Sequence, residues 1–259
     1  MSRLVFITGA SSGIGQALAL RFFQAGYRLA LVARRTAELK SWAYARSISD
    51  DSYQIYSADV SDVDSIVAAG QACIARQGVP DVVIANAGIS IGIDTAMRED
   101  LEVMRQTFAT NNLGVAATFH PFINAMTQRG SGALVGIGSV AGIRGLPGHG
   151  AYCASKAAVI TYCESLRGEL LPSGVKVVMI CPGYIDTPLT QKNSYSMPFL
   201  MQPDAFAEKA FAAIQAGSSY SVIPWQMGVV AKLLRLLPNA VFDKALAGRA
   251  RKPRQGGDR

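Results

Sequence analysis

Residues 4–15 read LVFITGASSGIG: a short apolar run, then a turn rich in glycine and serine. The stretch that follows, QALALRFFQAG (16–26), repeats its apolar residues at helical spacing. The apolar run is too short for the core of a leader peptide and reads as a strand. Gly9, Gly13 and Gly15 let the backbone turn tightly and come close to a ligand. A helix starting near Gly13 offers unpaired N–H groups and a partial positive charge to a pyrophosphate. The spacing is G-x-x-x-G-x-G rather than the commoner G-x-G-x-x-G, so the strand–turn–helix context carries the reading.

The first run is one of seven: LVFIT (4–8), RLALVA (28–33), YQIYSA (53–58), DVVIANA (81–87), GALVGIG (132–138), VKVVMIC (175–181) and YSVIP (220–224). Near-continuous apolar strands mean that both faces of a sheet are covered, as in parallel sheets. Stretches long enough for crossover helices lie between them, among them 13–25, 60–77, 99–128 and 151–171. The alternation predicts an α/β fold: a doubly wound, mostly parallel sheet of Rossmann type, flanked by helices on both faces. Such sheets bind ligands beyond the carboxyl ends of their strands, where the strand order reverses. Chemistry is therefore expected in the loops after Thr8, Ala33, Ala58, Ala87, Gly138 and Cys181.

The 259 residues contain no linker or repeat, and the reading is one large core. Residues 1–225 are expected to form the dinucleotide-binding and catalytic domain, and 226–259 a helical extension with a basic tail. No run of apolar residues is long enough to span a bilayer. Cys73, Cys153, Cys163 and Cys181 lack metal-ligand spacing, and with only His120 and His149 no metal site is expected. A reducing cytosol fits this usage. The net charge is +7, and residues 238–259 hold six basic residues against Asp243 and Asp258. The rest of the chain is only mildly basic, which argues against a nucleic-acid groove. The basic terminal run reads first as a solvated tail, and second as attraction to a membrane or an acidic partner.

The second strand ends LVARR. Dinucleotide folds often place an acid there for the ribose 2′-hydroxyl, or an arginine for a 2′-phosphate. Here Arg34 and Arg35 follow Ala33, and no acid appears until Glu38. A guanidinium suits a phosphate, so NADP(H) is favoured over NAD, with Arg34 the main contact.

Seven motifs stand in order: TGASSGIG (8–15), ADV (58–60), ANAG (85–88), NNLG (111–114), GSVAG (138–142), YCASK (152–156) and PGYIDT (182–187). Over residues 3–225 the chain resembles the short-chain dehydrogenase/reductase family in its compact single-domain branch. It departs at Ala85, where the family usually has asparagine, and at Ser12, where some NADP-preferring members carry a basic residue. The resemblance implies that Gly9, Ser11, Ser12, Gly13, Ile14 and Gly15 cradle the cofactor's phosphates. It further implies that Asp59 and Val60 meet the adenine, and that Asn86, Ala87 and Gly88 line the nicotinamide side. Pro182, Gly183, Ile185 and Thr187 would flank the carboxamide.

Tyr152 and Lys156 are four apart on the expected helix and so share a face. At about 4 Å and an effective dielectric near 20, an ammonium favours a phenolate by roughly 4 kcal/mol. That would tune Tyr152 toward neutral pH as a general acid/base. By resemblance Ser139 binds the substrate oxygen and Asn111 holds a relay water to Lys156, which also binds the nicotinamide ribose. The implied reaction passes a hydride between the nicotinamide and a carbonyl or secondary alcohol while Tyr152 moves the proton. Stretch 188–203 is expected to be a mobile substrate lid whose apolar residues hint at a hydrophobic substrate, with Ile143, Leu146 and His149 as further walls.

In the C-terminal segment Val229, Val230, Leu233, Leu234 and Leu237 recur at helical spacing with Lys232 and Arg235 between them. An amphipathic helix here could lie on a membrane surface, cover the pocket or pack on a partner subunit. The sequence thus supports an NADP(H)-dependent carbonyl reductase or alcohol dehydrogenase, cytoplasmic or membrane-peripheral, working as a homodimer or homotetramer. The alternatives are an NAD-linked dehydrogenase of the same family and a non-catalytic, cofactor-sensing or membrane-docked binding protein.

Overall fold

The computed structural model describes residues 2–191, 193, 195–248 and 251–254. Seven strands form one sheet: β1 (Leu4–Thr8), β2 (Arg28–Ala33), β3 (Tyr53–Ser57), β4 (Val82–Ala85), β5 (Gly132–Ile137), β6 (Val175–Pro182) and β7 (Tyr220–Ile223). Every pairing is parallel, in the order β3-β2-β1-β4-β5-β6-β7. The chain runs outward from β1 to β3, then crosses back to lay β4 on the other side of β1. That reversal leaves a crevice beyond the ends of β1 and β4.

Because successive strand residues face opposite ways, the apolar runs feed two cores. Val5, Ile7, Leu29 and Leu31 pack with Leu18 and Phe22 of α1 (Gly13–Gln24) and Phe206 and Ile214 of α7 (Pro203–Ala216). On the other face Leu4, Phe6, Val83 and Leu134 meet Ile66 of α3 (Val63–Gln77), Phe122 of α5 (Gly114–Arg129) and Val159 of α6 (Gly150–Leu170). The rings of Phe6 and Phe122 lie 4.9 Å apart and tilted. A side chain of this size contributes on the order of 2–3 kcal/mol when fully buried. One wet face would leave half of these residues exposed, so the sequence needs helices on both sides.

Helix α2 (Thr36–Ala45) follows β2 directly. The stretch 99–128 is not one regular helix. It forms α4 (Asp100–Phe108) and α5, joined through a π-helical turn at Ala109–Leu113. The widened turn carries Asn111, a fully buried polar residue whose side chain bonds away from the helix rather than along it.

After β7 come α8 (Trp225–Leu236) and α9 (Asn239–Leu246). Arg144 fastens them to the body: its guanidinium donates to the carbonyls of Leu234 and Leu237 and to Asn239 Oδ1, and lies 3.7 Å from the centroid of the Phe242 ring. The expectation of a solvated tail fails at Lys252 and Arg254, which are half-buried, and holds for the exposed Arg251. Arg254 donates to both carboxylate oxygens of Asp100, at 2.6 and 3.0 Å, and to Glu99 at 3.1 Å. Gly92 N–H donates to the Pro253 carbonyl. Asp100 is 1 % exposed, so its charge needs a partner, and the tail supplies one. Arg249 and Arg259, also in the basic run, lie outside the described residues. Among the described residues no helix is long and apolar enough to cross a membrane.

Candidate active site

The first turn is held by its neighbour across the switch point. Gly9 has φ +65°, a left-handed value that favours glycine, and a Cβ there would sit 2.8 Å from Ala87 Cα. A Cβ on Gly15 would sit 2.1 Å from the Gly9 carbonyl oxygen, so helix and turn touch backbone to backbone. Asn86 braces the turn by donating through Nδ2 to the carbonyls of Thr8 and Gly9, at 3.0 and 3.2 Å. Thr8 Oγ1 accepts in return from the backbone N–H groups of Asn86 and Ala87. From sequence Asn86 is expected on the nicotinamide side, and these bracing bonds are an added role that its motif does not reveal. Ser12, the N-cap of α1, makes no side-chain bond to the helix, so the first N–H groups stay available.

A cleft of 530 Å³ opens above this turn. Gly9, Ser11, Ser12, Gly13 and Ile14 form its floor, and Arg34, Arg35, Asp59 and Val60 one end. Asn86, Ala87 and Gly88 line its middle, and Pro182, Gly183, Ile185 and Thr187 the far wall with Ser139, Tyr152 and Lys156. Of the residues expected at the site, Gly15 and Asn111 do not line the cleft. Gly15 lies beneath Gly9, and Asn111 lies behind Gly88, where a Cβ would come 3.2 Å from Asn111 Oδ1 and 3.5 Å from Lys156 Nζ. Arg35 pairs with Glu38 at 2.8 Å, within the helix that follows. The Arg34 guanidinium makes only a long 3.4 Å contact with Asp59, and its side chain is 68 % exposed. The Asp59 carboxyl lies below its usual range. Burial pushes it up, but bonds from Ser61 and the charge of Arg34 outweigh that.

Ser139 follows β5 and caps the short helical turn Val140–Gly142, accepting from Ala141 N–H at 3.1 Å. Lys156 is buried, and its Nζ donates to the Ile137 carbonyl at 2.8 Å. The lysine head therefore turns toward the end of β5, 5.9 Å from the centroid of the Tyr152 ring. The expected lowering of the tyrosine is not what the protein alone produces. Burial pushes the Tyr152 phenol up to about 12, only partly opposed by a hydrogen bond with Ser139. Burial likewise brings the Lys156 ammonium down to about 8. Desolvation disfavours both charged forms, and at this separation it outweighs the attraction between them.

Asn111 uses its side chain fully. Nδ2 donates to the Ile89 carbonyl at 3.0 Å and to Ser155 Oγ at 2.9 Å, and Oδ1 accepts from Ile89 N–H at 2.9 Å. Ser155, one residue before Lys156, was not anticipated. It ties Asn111 to α6 and itself donates to the Tyr152 carbonyl at 2.8 Å.

A second cavity, 610 Å³, adjoins the first. Ser139, Tyr152, Gly183, Leu189 and Thr190 line both. Ile143, Leu146 and His149 form part of its wall, as expected from sequence, and Met227, Leu234 and Phe242 of α8 and α9 close it. Of the three roles left open for the C-terminal segment, covering the pocket is the one seen here. The stretch 188–203 contributes Leu189, Asn193, Tyr195 and Pro198, whereas Phe199 and Leu200 face solvent and Met201 packs on the core. Lys192 and Ser194 lie outside the described residues. Lys252 was missed, because only the folded tail brings it here: its Nζ donates to Ser90 Oγ at 2.8 Å and it lines the cavity. Burial, helped by the charge of Lys252, holds His149 down to about 4, so the imidazole is neutral at physiological pH. Among the described residues no cluster of three or more His, Cys, Asp or Glu is placed to hold a metal.

The chain matches the family model described as short chain dehydrogenase over residues 3–197. An uncharacterized oxidoreductase of Myxococcus xanthus is 38% identical over 243 residues, covering 94% of this chain and 96% of its own. Among solved structures, a short-chain dehydrogenase from Streptomyces avermitilis superposes with a TM-score of 0.80 at 26% identity, over 95% of both chains. One from Sphingobium yanoikuyae in complex with NADPH gives 0.76 at 27% identity, over 92% of this chain and 97% of that one. Other solved matches are complexes with NADP or with NADH.

Proposed function

The chain belongs to the short-chain dehydrogenase/reductase family, and from that premise we propose that it is an NADP(H)-dependent reductase of a hydrophobic carbonyl compound. The observation that carries this reading is that Ser139 and Tyr152 line both cavities. A cofactor in the glycine-floored cleft and a substrate in the apolar one would meet at those two side chains.

The cleft fits a dinucleotide. Its floor has no room for a Cβ at Gly9, and the α1 N-terminus that forms part of that floor is uncapped. Arg34 fits a 2′-phosphate because its guanidinium is exposed and weakly paired. Bound there, a reduced nicotinamide supplies the hydride. Every other part of the chemistry falls to the chain. Ser139 and Tyr152 would hold the carbonyl oxygen by hydrogen bonds. A phenol near 12 is protonated at neutral pH, so Tyr152 is set to give its proton to the oxygen as negative charge develops there. Lys156 lies behind it as a buried cation, anchored by Ile137, and favours transfer of that proton. Asn111 acts through position, fixing α6 to the loop after β4.

Two surface features belong to the same reading. The outer face of α8 presents Trp225, Val229, Leu233 and Leu236 beside the exposed Lys232 and Arg235, which supports peripheral contact with an anionic bilayer. Leu101 and Leu113, exposed on α4 and in the turn after it, would lie at the subunit interface of a homodimer or homotetramer.

Steady-state kinetics with NADPH and NADH tests the cofactor assignment. The wild type should prefer NADPH, and Arg34→Asp should lower kcat/KM for NADPH by about tenfold or more with no loss for NADH. A wild type that favours NADH, or an Arg34→Asp variant with unchanged preference, would refute it.

A further inference from the structure

The second cavity has an uneven chemistry. Its walls along α8 and α9 are apolar, through Met227, Val230, Ala231, Leu234 and Phe242. At the other side stands one cation whose charge no acidic group among the described residues answers. The described lining contains no Asp or Glu. Arg144, the other cation there, is already committed to the carbonyls of Leu234 and Leu237 and to Asn239. Lys252 has only the neutral Ser90 hydroxyl at 2.8 Å and no ion pair among the described residues. Its charge is felt at His149, three residues before Tyr152. Ser90 in turn follows Ile89, whose backbone pairs with Asn111. The ammonium therefore sits beside Ser90, with His149 at the start of α6 near it.

The chain spends structure to hold it there. Residues 251–254 form a strap, pinned by Arg254 on the buried Asp100 two residues beyond Lys252, and beside it by Pro253 on Gly92. A Cβ on Gly92 would sit 2.2 Å from the Lys252 carbonyl oxygen, so the strap lies flush against the loop. A solvated tail would need none of these bonds, and a partly buried lysine facing apolar walls is costly unless something answers its charge.

We propose that this cavity takes an amphiphile with a carboxylate bound by Lys252 beside Ser90 and an apolar body lying along α8 and α9. This deepens the reductase reading, on which it rests, and narrows the substrate to a hydrophobic oxo acid or hydroxy acid. Lys252 would be a binding residue and Arg254 its positioning residue.

Calorimetry with decanoate and decanamide, matched in chain and differing in charge, tests it on the full chain at neutral pH, with and without NADPH. The wild type should bind decanoate about tenfold more tightly, the margin of one charge-assisted hydrogen bond in a shielded site. Lys252→Met should abolish the preference and leave decanamide affinity unchanged, while Lys252→Arg keeps it. Arg254→Met should weaken decanoate selectively, a pattern that general destabilisation would not give. Equal affinity for the two probes in the wild type, including no binding of either, overturns the proposal. So does a preference that survives Lys252→Met. Binding is read without turnover, so the charge preference and the hydride-transfer reading fail separately.

Discussion

Lys156 carries a charge that its surroundings resist. Burial lowers its folded value to about 8 from 10.5. The cost of keeping it charged is fully present below pH 8 and fades as pH rises toward the unfolded value. It amounts to roughly 3 kcal/mol at neutral pH before the bond to Ile137 offsets part of it. Lys156→Met should therefore raise the melting temperature at neutral pH, and the gain should shrink as pH climbs past 8. The same variant should cut hydride transfer by about 100-fold or more. Thermal scans across that pH range, beside steady-state rates, check both halves; a variant less stable at neutral pH would contradict the burial argument. The sequence displayed Tyr152 and Lys156 four apart and hence adjacent. It could not display that the ammonium turns to the Ile137 carbonyl, or that Lys156 is buried and Tyr152 half-buried. Adjacency follows from helical pitch, whereas the sign of a pKa shift depends on solvent excluded by residues far along the chain. Asn86 teaches the same lesson, since its bracing bonds go to Thr8 and Gly9, 78 and 77 positions away.

At the scale of elements, α8 has two faces with different work. Met227, Val230 and Leu234 look into the second cavity, and Val229, Leu233 and Leu236 look out. The outward face can be altered without touching the pocket. Leu233→Glu with Leu236→Glu should reduce co-sedimentation with anionic liposomes several-fold and leave carbonyl reduction unchanged. Equal pelleting of variant and wild type would remove the membrane contact from the account. All seven strands were legible to within two residues at each end, because a covered strand must be apolar along its whole length. The π turn at Ala109–Leu113 was not, since it answers to Asn111's partners on other elements. The strap was hidden for a similar reason: Arg254 finds Asp100 across 154 residues, and its local sequence is only a basic run after a helix.

For the whole molecule, the strand order does the organising. Placing β4 beside β1 brings the glycine turn against Asn86–Gly88, and β5 and β6 follow with Ser139 and Pro182 at their ends. Two cavities result, one floored by backbone and the other apolar, sharing the wall that carries Ser139 and Tyr152. The motifs announced the first cavity by their order along the chain. The second is built from α6, the 188–203 stretch, α8, α9 and the strap, and no single segment of sequence reveals it. In the proposed reaction this shared wall moves a proton to a carbonyl oxygen as it is reduced, with Tyr152 as donor. The direct test is NADPH oxidation by wild type and Tyr152→Phe over a panel of ketones, hydrophobic oxo acids and acyl carbonyls, with NADPH affinity measured in parallel. The wild type should turn over, and Tyr152→Phe should lose about 100-fold or more in kcat while retaining NADPH affinity. A phenylalanine variant that turns over at the wild-type rate, or a wild type that binds NADPH and reduces nothing in the panel, would contradict it.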